Sequence, residues 1–270
     1  MNTNELRQIS NEVSVPIQKI STEIMEKVNA APQGQRKTSK HKKVVKIVED
    51  RIFKGPYTSD EQMLIKNLSN TYAVEVLEDA LKLPDWQRGS LRWEYVGCWN
   101  GNCCYLIASN VGKCRNISWE IVNTKIETNV KVVPRGEAVR RVSDIEGTAL
   151  LTDEIKSAAL QHLYIRFLLD LGDSGTHNIL VREDYGRSGR LIAGIDLEEK
   201  RSINRKESRL DNLFKKGASK KQIYLYHSDV CNIKSLSYGQ LGKHTIERLS
   251  AVGIDLERIK ENMELWERLK

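Results

Sequence analysis

No stretch of the chain approaches the roughly 18 consecutive apolar residues that a membrane helix needs, so no spanning helix is expected. The first 15 residues, MNTNELRQISNEVSV, are polar and partly acidic, and they lack the basic start and apolar centre of a secretory signal. Cysteine is sparse and odd in number, with five in 270 residues. Cys98, Cys103, Cys104 and Cys114 form the pattern C-x4-CC-x9-C, which is not a zinc-finger or zinc-ribbon spacing. Cys104 begins an apolar run, so reduced, buried or half-buried thiols are expected. These absences point to an intracellular protein, cytoplasmic or nuclear. No internal repeat is found. Hydrophobic residues make up 40% of the chain, enough to build one large domain or two small ones.

Acidic charge is in deficit. Lys and Arg exceed Asp and Glu to give a net charge of +7, which favours an acidic partner or reflects scattered surface lysines. The densest basic cluster is Arg36, Lys37, Lys40, Lys42 and Lys43, inside the linker-like stretch 31–43. It reads as a contact for nucleic acid or another acidic partner, or as a solvated linker. Deleting 33–43 distinguishes these, since each phosphate neutralised on duplex DNA contributes about −0.9 to the slope of log affinity against log salt.

Three regions follow from pattern. Residues 1–45 are an N-terminal extension with weak helical periodicity (Leu6, Ile9, Val13, Ile17, Ile20, Ile24) and the basic linker. Residues 46–150 hold a helix and then a small antiparallel sheet. Ser59-Asp-Glu-Gln62 is a capping box, and Leu64, Leu68, Tyr72, Val76 and Ala80 form one helical stripe before Pro84. The runs LRWEYVGCW, NCCYLIASNV, ISWEIVNTKIE and NVKVV are strand-like, with Asn100-Gly101 as a hairpin turn. Residues 151–270 are mainly helical. Thr152 caps a helix with a wide apolar face, and IKENMELWERL is another clear helix. The expected class is α+β.

Between those helices lie GDSGTHNILV and LIAGIDLEEKR, which read as an antiparallel hairpin of 179–181 and 191–195. The start of one strand then lies beside the end of the other, bringing Asp173, Asn178 and Asp196 to one edge. Two hard oxygen ligands for a magnesium ion and one carboxylate to orient a hydroxyl are what phosphoryl transfer requires.

D-x4-N followed by an apolar pair and Asp resembles the active site of the protein-kinase-like superfamily. LLDLGDSGTHNILV…LIAGIDLE is most similar to the phosphatidylinositol 3-/4-kinase-like branch, over 152–201. The resemblance implies a two-lobed fold, ATP and magnesium as cofactors, and a protein or lipid hydroxyl as phosphoacceptor. It assigns Asp173 as catalytic base and Asn178 and Asp196 as metal ligands. A phosphate-anchoring lysine is expected on an N-lobe strand, Lys131 or Lys125, and Gly112 in Asn110-Val-Gly-Lys113 is a glycine-loop candidate beside Gly97-x3-Gly101. Asp196-Leu-Glu198 replaces the DFG pattern, which leaves open an inactive kinase-like scaffold that holds nucleic acid or a protein.

Overall fold

The computed structural model describes residues 3–32, 44–57, 61–101, 103–112, 114–117, 119–121, 139–141, 148–149, 152–171, 178–182, 189–195, 197 and 231–268. These form an α+β structure with six α-helices and a mixed five-stranded sheet. In chain order the elements are α1 (Thr3–Glu12), β1 (Ile17–Lys19), α2 (Thr22–Ala30), β2 (Val44–Val48), β3 (Arg51–Tyr57), α3 (Glu61–Ala80), β4 (Tyr95–Trp99) and β5 (Cys103–Ser109). They continue with β6 (Cys114–Ile117), β7 (Trp119–Ile121), β8 (Val139–Arg141), β9 (Thr148–Ala149), α4 (Asp153–Leu168), β10 (Ile179–Arg182), β11 (Ile192–Gly194), α5 (Lys243–Ala251) and α6 (Leu256–Glu267). No described helix is long and apolar enough to cross a membrane.

The main sheet runs β1-β4-β5-β3-β2. It is mixed rather than purely antiparallel because β1 enters from the N-terminus and pairs parallel to β4, with Ile17 opposite Val96. Residues 17–19 are thus built into the sheet, with Pro16 between α1 and this strand. The expected single helical periodicity resolves into two helices. Ser21 caps the second by accepting from the Ile24 amide at 3.3 Å.

Side-chain alternation gives the sheet two apolar faces. Phe53, Tyr105 and Ile107 pack with Met25 and Val28 of α2 on one face. Val96, Cys104, Leu106 and Ala108 pack with Leu64, Ile65 and Leu68 of α3 and with Leu6 and Ile9 of α1 on the other. A register irregularity between Lys54 and Tyr57 lets both residues share the α3 side although three positions apart. A Cβ on Gly55 would lie 2.8 Å from Tyr105 Cδ1 and 2.9 Å from the Cys104 carbonyl, so the backbones approach too closely there for a larger residue.

Helix α3 spans 20 residues, about 30 Å. Its second half, with Ala73, Val74, Val76 and Leu77, belongs to a second core made with α4, the β10–β11 hairpin, α5 and α6. The predicted Thr152 cap is present, its hydroxyl accepting from Ile155 N at 3.2 Å. Asn100-Gly101 makes the expected turn between β4 and β5, both residues at positive φ. Ser59 of the expected capping box lies outside the described residues; the Gln62 side-chain amide donates to Glu5 at 2.9 Å. Of the tryptophans expected to pack, Trp266 and Trp93 are buried whereas Trp86 is exposed.

At the end of α4 the Ile165, Arg166 and Phe167 carbonyls accept from Leu169, Leu171 and Asp170, which leaves the Leu168 carbonyl in need of a side-chain donor. Asn262 of α6, fully buried, donates to the Phe167 carbonyl at 2.9 Å and the Leu168 carbonyl at 3.0 Å. That bond set fixes the end of α4, from which the chain continues toward Asp173. Replacing Asn262 by Ala strands the buried Leu168 carbonyl, while Phe167 keeps its bond from the Asp170 amide at 3.1 Å, and should cost about 1–3 kcal/mol, read as a lower denaturant midpoint at unchanged slope.

Candidate functional site

The hairpin forms as the sequence indicates. β10 and β11 pair antiparallel, with Ile179 opposite Gly194 and Val181 opposite Ile192. The pairing extends one step further, because the Ile195 amide donates to the Asn178 carbonyl at 2.9 Å. Asn178 is 1% exposed, so its amide sits at the buried end of the hairpin next to the residue that precedes Asp196. Asp173 and Asp196 themselves lie outside the described residues. The residues on either side of Asp196 do not, and both are held from outside the hairpin. Arg166 of α4, 1% exposed, donates from Nη1 to the Ile195 carbonyl at 3.0 Å. Asn70 of α3, also buried, donates from Nδ2 to the Leu197 carbonyl. Leu197 is itself in the core. Residues 195 and 197 are therefore held by two different helices, and charge-assisted bonding makes the Arg166 contact the stronger kind.

The outer edge of β11 is also held. The Gly194 amide donates to the Gly89 carbonyl at 2.7 Å, and Leu191 N to the Trp86 carbonyl at 3.3 Å. Segment 86–90 is in turn fixed to α3 by Glu78, which is fully buried. Its carboxylate accepts from Gly89 N at 2.7 Å, Ser90 N at 2.9 Å and Ser90 Oγ at 2.6 Å. Arg190, just before β11, donates to the Ser90 carbonyl. Burial pushes the Glu78 carboxyl up from its usual range, opposed first by the Ser90 hydroxyl, then by the Gly89 amide and Arg190. Three hydrogen bonds to one carboxylate offset much of the cost of burying it.

His162 sits one helical turn before Arg166, against the inner side of this hairpin. A Cβ at Gly194 would fall 2.0 Å from His162 Nε2, and one at Gly89 2.7 Å from Nδ1. Both glycines are there because the imidazole occupies that space. Neither ring nitrogen has a hydrogen-bond partner among the described residues. Burial, and then the Arg166 charge, lower the His162 pKa from 6.5 to about 3.

The sequence reading missed Lys54. It is 6% exposed, in the middle of β3. Its partner across β5 is Leu106, which packs under α3, so Lys54 projects on the α3 side of the sheet. Opposite it on β2 is Val45, and Ile47 lies opposite Ile52. Val45 and Ile47 are 41% and 56% exposed. One sheet face thus carries an open apolar strip beside a buried lysine. The β2–β3 hairpin turns at Glu49-Asp50, both at positive φ without glycine, and so carries no Asn-Gly signal. The readable trace was the apolar alternation of VVKIV and RIFKGPY.

Lys131, Lys125 and the basic cluster Arg36, Lys37, Lys40, Lys42 and Lys43 lie outside the described residues. Gly112 lies just after β5 at positive φ, with its amide donating to Asn110 Oδ1 at 3.2 Å. Gly97 is inside β4 rather than in a loop, where a Cβ would meet Ile107 and Ile20 at 2.5 and 2.6 Å. Its lack of a side chain serves packing.

Comparison with known proteins finds no matching family model, no matching curated protein and no matching solved structure. The functional reading therefore rests on this chain's own residues.

Two outcomes follow from His162. Unfolded chain binds a proton on this residue below about pH 6.5, and the folded chain does not until about pH 3. The unfolded state holds more protons in that window, so this contribution is fully present above pH 6.5 and is lost as pH falls toward 3. The slope approaches about 1.4 kcal/mol per pH unit. Denaturant titrations from pH 7 to 4 should show this loss, and His162→Leu should flatten it. Separately, Gly194→Ala should destabilise by about 1–3 kcal/mol through overpacking, and His162→Ala in the same chain should relieve most of that cost.

Proposed function

We propose that the chain is an ATP- and magnesium-dependent phosphotransferase of the kinase-like superfamily, transferring the γ-phosphoryl group to a protein or lipid hydroxyl. The observation that carries the reading is the hairpin end. Asn178 is held beside Ile195, and both carbonyls flanking Asp196 are bonded by buried side chains of α3 and α4. An acid and an amide at adjoining strand ends are the hard-oxygen donor set that magnesium bound to polyphosphate takes. The element order β3–α3–β4–β5 agrees with this, since the family's phosphate-anchoring lysine stands on a strand followed by a helix. In this reading the five-stranded sheet is the smaller lobe, and α4 to α6 with the hairpin are the larger.

Lys54 takes the phosphate-anchoring role in preference to Lys131 or Lys125, because it is buried on the α3 side of the sheet. The strip of Val45, Ile47 and Ile52 beside it is the apolar surface on which a purine ring would stack. Asp196 and Asn178 would hold the metal, which would supply positive charge to the polyphosphate. Asp173 orients the acceptor hydroxyl and takes its proton. The bonds to the Ile195 and Leu197 carbonyls would limit reorganisation next to the metal-binding acid, which is where electrostatic catalysis draws its advantage.

A second reading is favoured by Leu197. Its side chain is in the core and its carbonyl is bonded by Asn70, so the segment that pivots in regulated kinases is anchored here. A rigid, inactive kinase-like scaffold fits that feature.

Thermal shift with ATP and magnesium tests the binding claim. At 100 times the dissociation constant, ligand should add about 2.7 kcal/mol of stability. Asp196→Asn should abolish the magnesium-dependent part, and Lys54→Met should weaken nucleotide binding with or without metal. No shift in the wild-type protein would remove the nucleotide reading altogether. Asp173→Ala should leave binding intact and lower phosphoryl transfer by about 10²-fold or more, because the lost interaction belongs to the transition state. Equal background transfer from wild type and Asp173→Ala, with nucleotide bound to both, would select the scaffold.

A further inference from the structure

We propose that Cys98 and Cys104 are a dithiol that closes reversibly to a cross-strand disulfide, with a small-molecule disulfide such as oxidised glutathione as the oxidant. The two residues are directly opposite in the β4–β5 pairing, Cys98 facing Cys104. Their sulfurs are 2.7 Å apart. Directly opposed residues of an antiparallel pair have Cα atoms about 4.5–5.5 Å apart, inside the range that a disulfide spans without backbone movement. Neither is in a disulfide in this structure.

Access and chemistry assign the order of events. Cys104 is fully buried under α3, whereas Cys98 is half-buried at the rim of the same cluster. The hydrogen bond from Cys104 lowers the Cys98 pKa, which raises its thiolate fraction. The Cys98 thiolate attacks one sulfur of the oxidant. A mixed disulfide forms and one small thiolate leaves. Cys104 loses its proton and attacks Cys98 Sγ, and the second small thiolate departs. Two cysteine thiols are oxidised, one disulfide oxidant is reduced to two thiols, and the two protons end on those products. Cys103 does not compete for this step. It points to the opposite face of the sheet, where it packs with Trp99 and Tyr105.

The pair sits where closure would be felt by the whole sheet. The Cys98 carbonyl accepts from Ile20 N at 2.9 Å, so β1 and the start of α2 hang on that residue. Cys104 is opposite Tyr57 on β3, three residues beyond Lys54. A covalent link at this point ties β4 to β5 between the N-terminal elements and the lysine-bearing strand. The proposal stands on the thiol geometry and does not depend on the phosphotransferase reading.

The test uses the full native chain. Oxidised glutathione is added, remaining thiols are blocked with iodoacetamide, and the protein is digested with trypsin. Residues 93–113 form one tryptic peptide containing Cys98, Cys103 and Cys104. After oxidation it should be two hydrogens lighter and carry one alkyl group, on Cys103, and dithiothreitol should restore three. Cys98→Ser should abolish the link, and Cys104→Ser should stop Cys98 at the glutathione adduct. Exposed Cys231 reports that the oxidant has acted. If Cys231 becomes modified while Cys98 and Cys104 both stay alkylatable, the proposal is overturned. A link from Cys98 to Cys103, or closure only after unfolding in denaturant, overturns it equally.

Discussion

Helix α3 belongs to two hydrophobic cores at once, and that sharing sets the position of nearly everything around the hairpin. Its first half covers one face of the five-stranded sheet through Leu64, Ile65 and Leu68. Its second half is enclosed by α4, α5, α6 and the hairpin. A helix buried almost all round cannot rotate or slide without opening both cores. It therefore fixes the distance between the Lys54 strand and the strand that leads to Asp196.

The polar residues of α3 turn that rigidity into aim. Asn70 reaches the Leu197 carbonyl, and Glu78 collects three donors from residues 89 and 90, which in turn bond β11. Arg166 of α4 completes the set on the other side. Buried polar groups are costly unless satisfied. Spending them around one short segment is the pattern of a site whose geometry matters more than its stability. His162 shows the same trade, as an imidazole packed between two glycines with no partner among the described residues.

Much of the local structure was legible. The hairpin of 179–182 and 192–194 follows from two short apolar runs separated by a polar turn, and Thr152 and Asn100-Gly101 act as their chemistry predicts. The strands β2 and β3 were not anticipated, because their turn uses Glu49 and Asp50 rather than glycine. Lys54 was missed with them. The N-terminal elements read as an extension because β1 is three residues long and its strand partner among the described residues, β4, is almost 80 positions away in the chain.

Period, capping and turn chemistry act over a few residues, and so the sequence alone determined the α+β class, the presence of α3, α4 and α6, and the placing of Asn178 and the approach to Asp196 at one hairpin end. Long-range contacts leave no local periodic trace. Which helix clamps position 197, which strand carries a buried lysine, and which cysteine faces Cys98 were decided only when α3 was buried from both sides and five strands took their register.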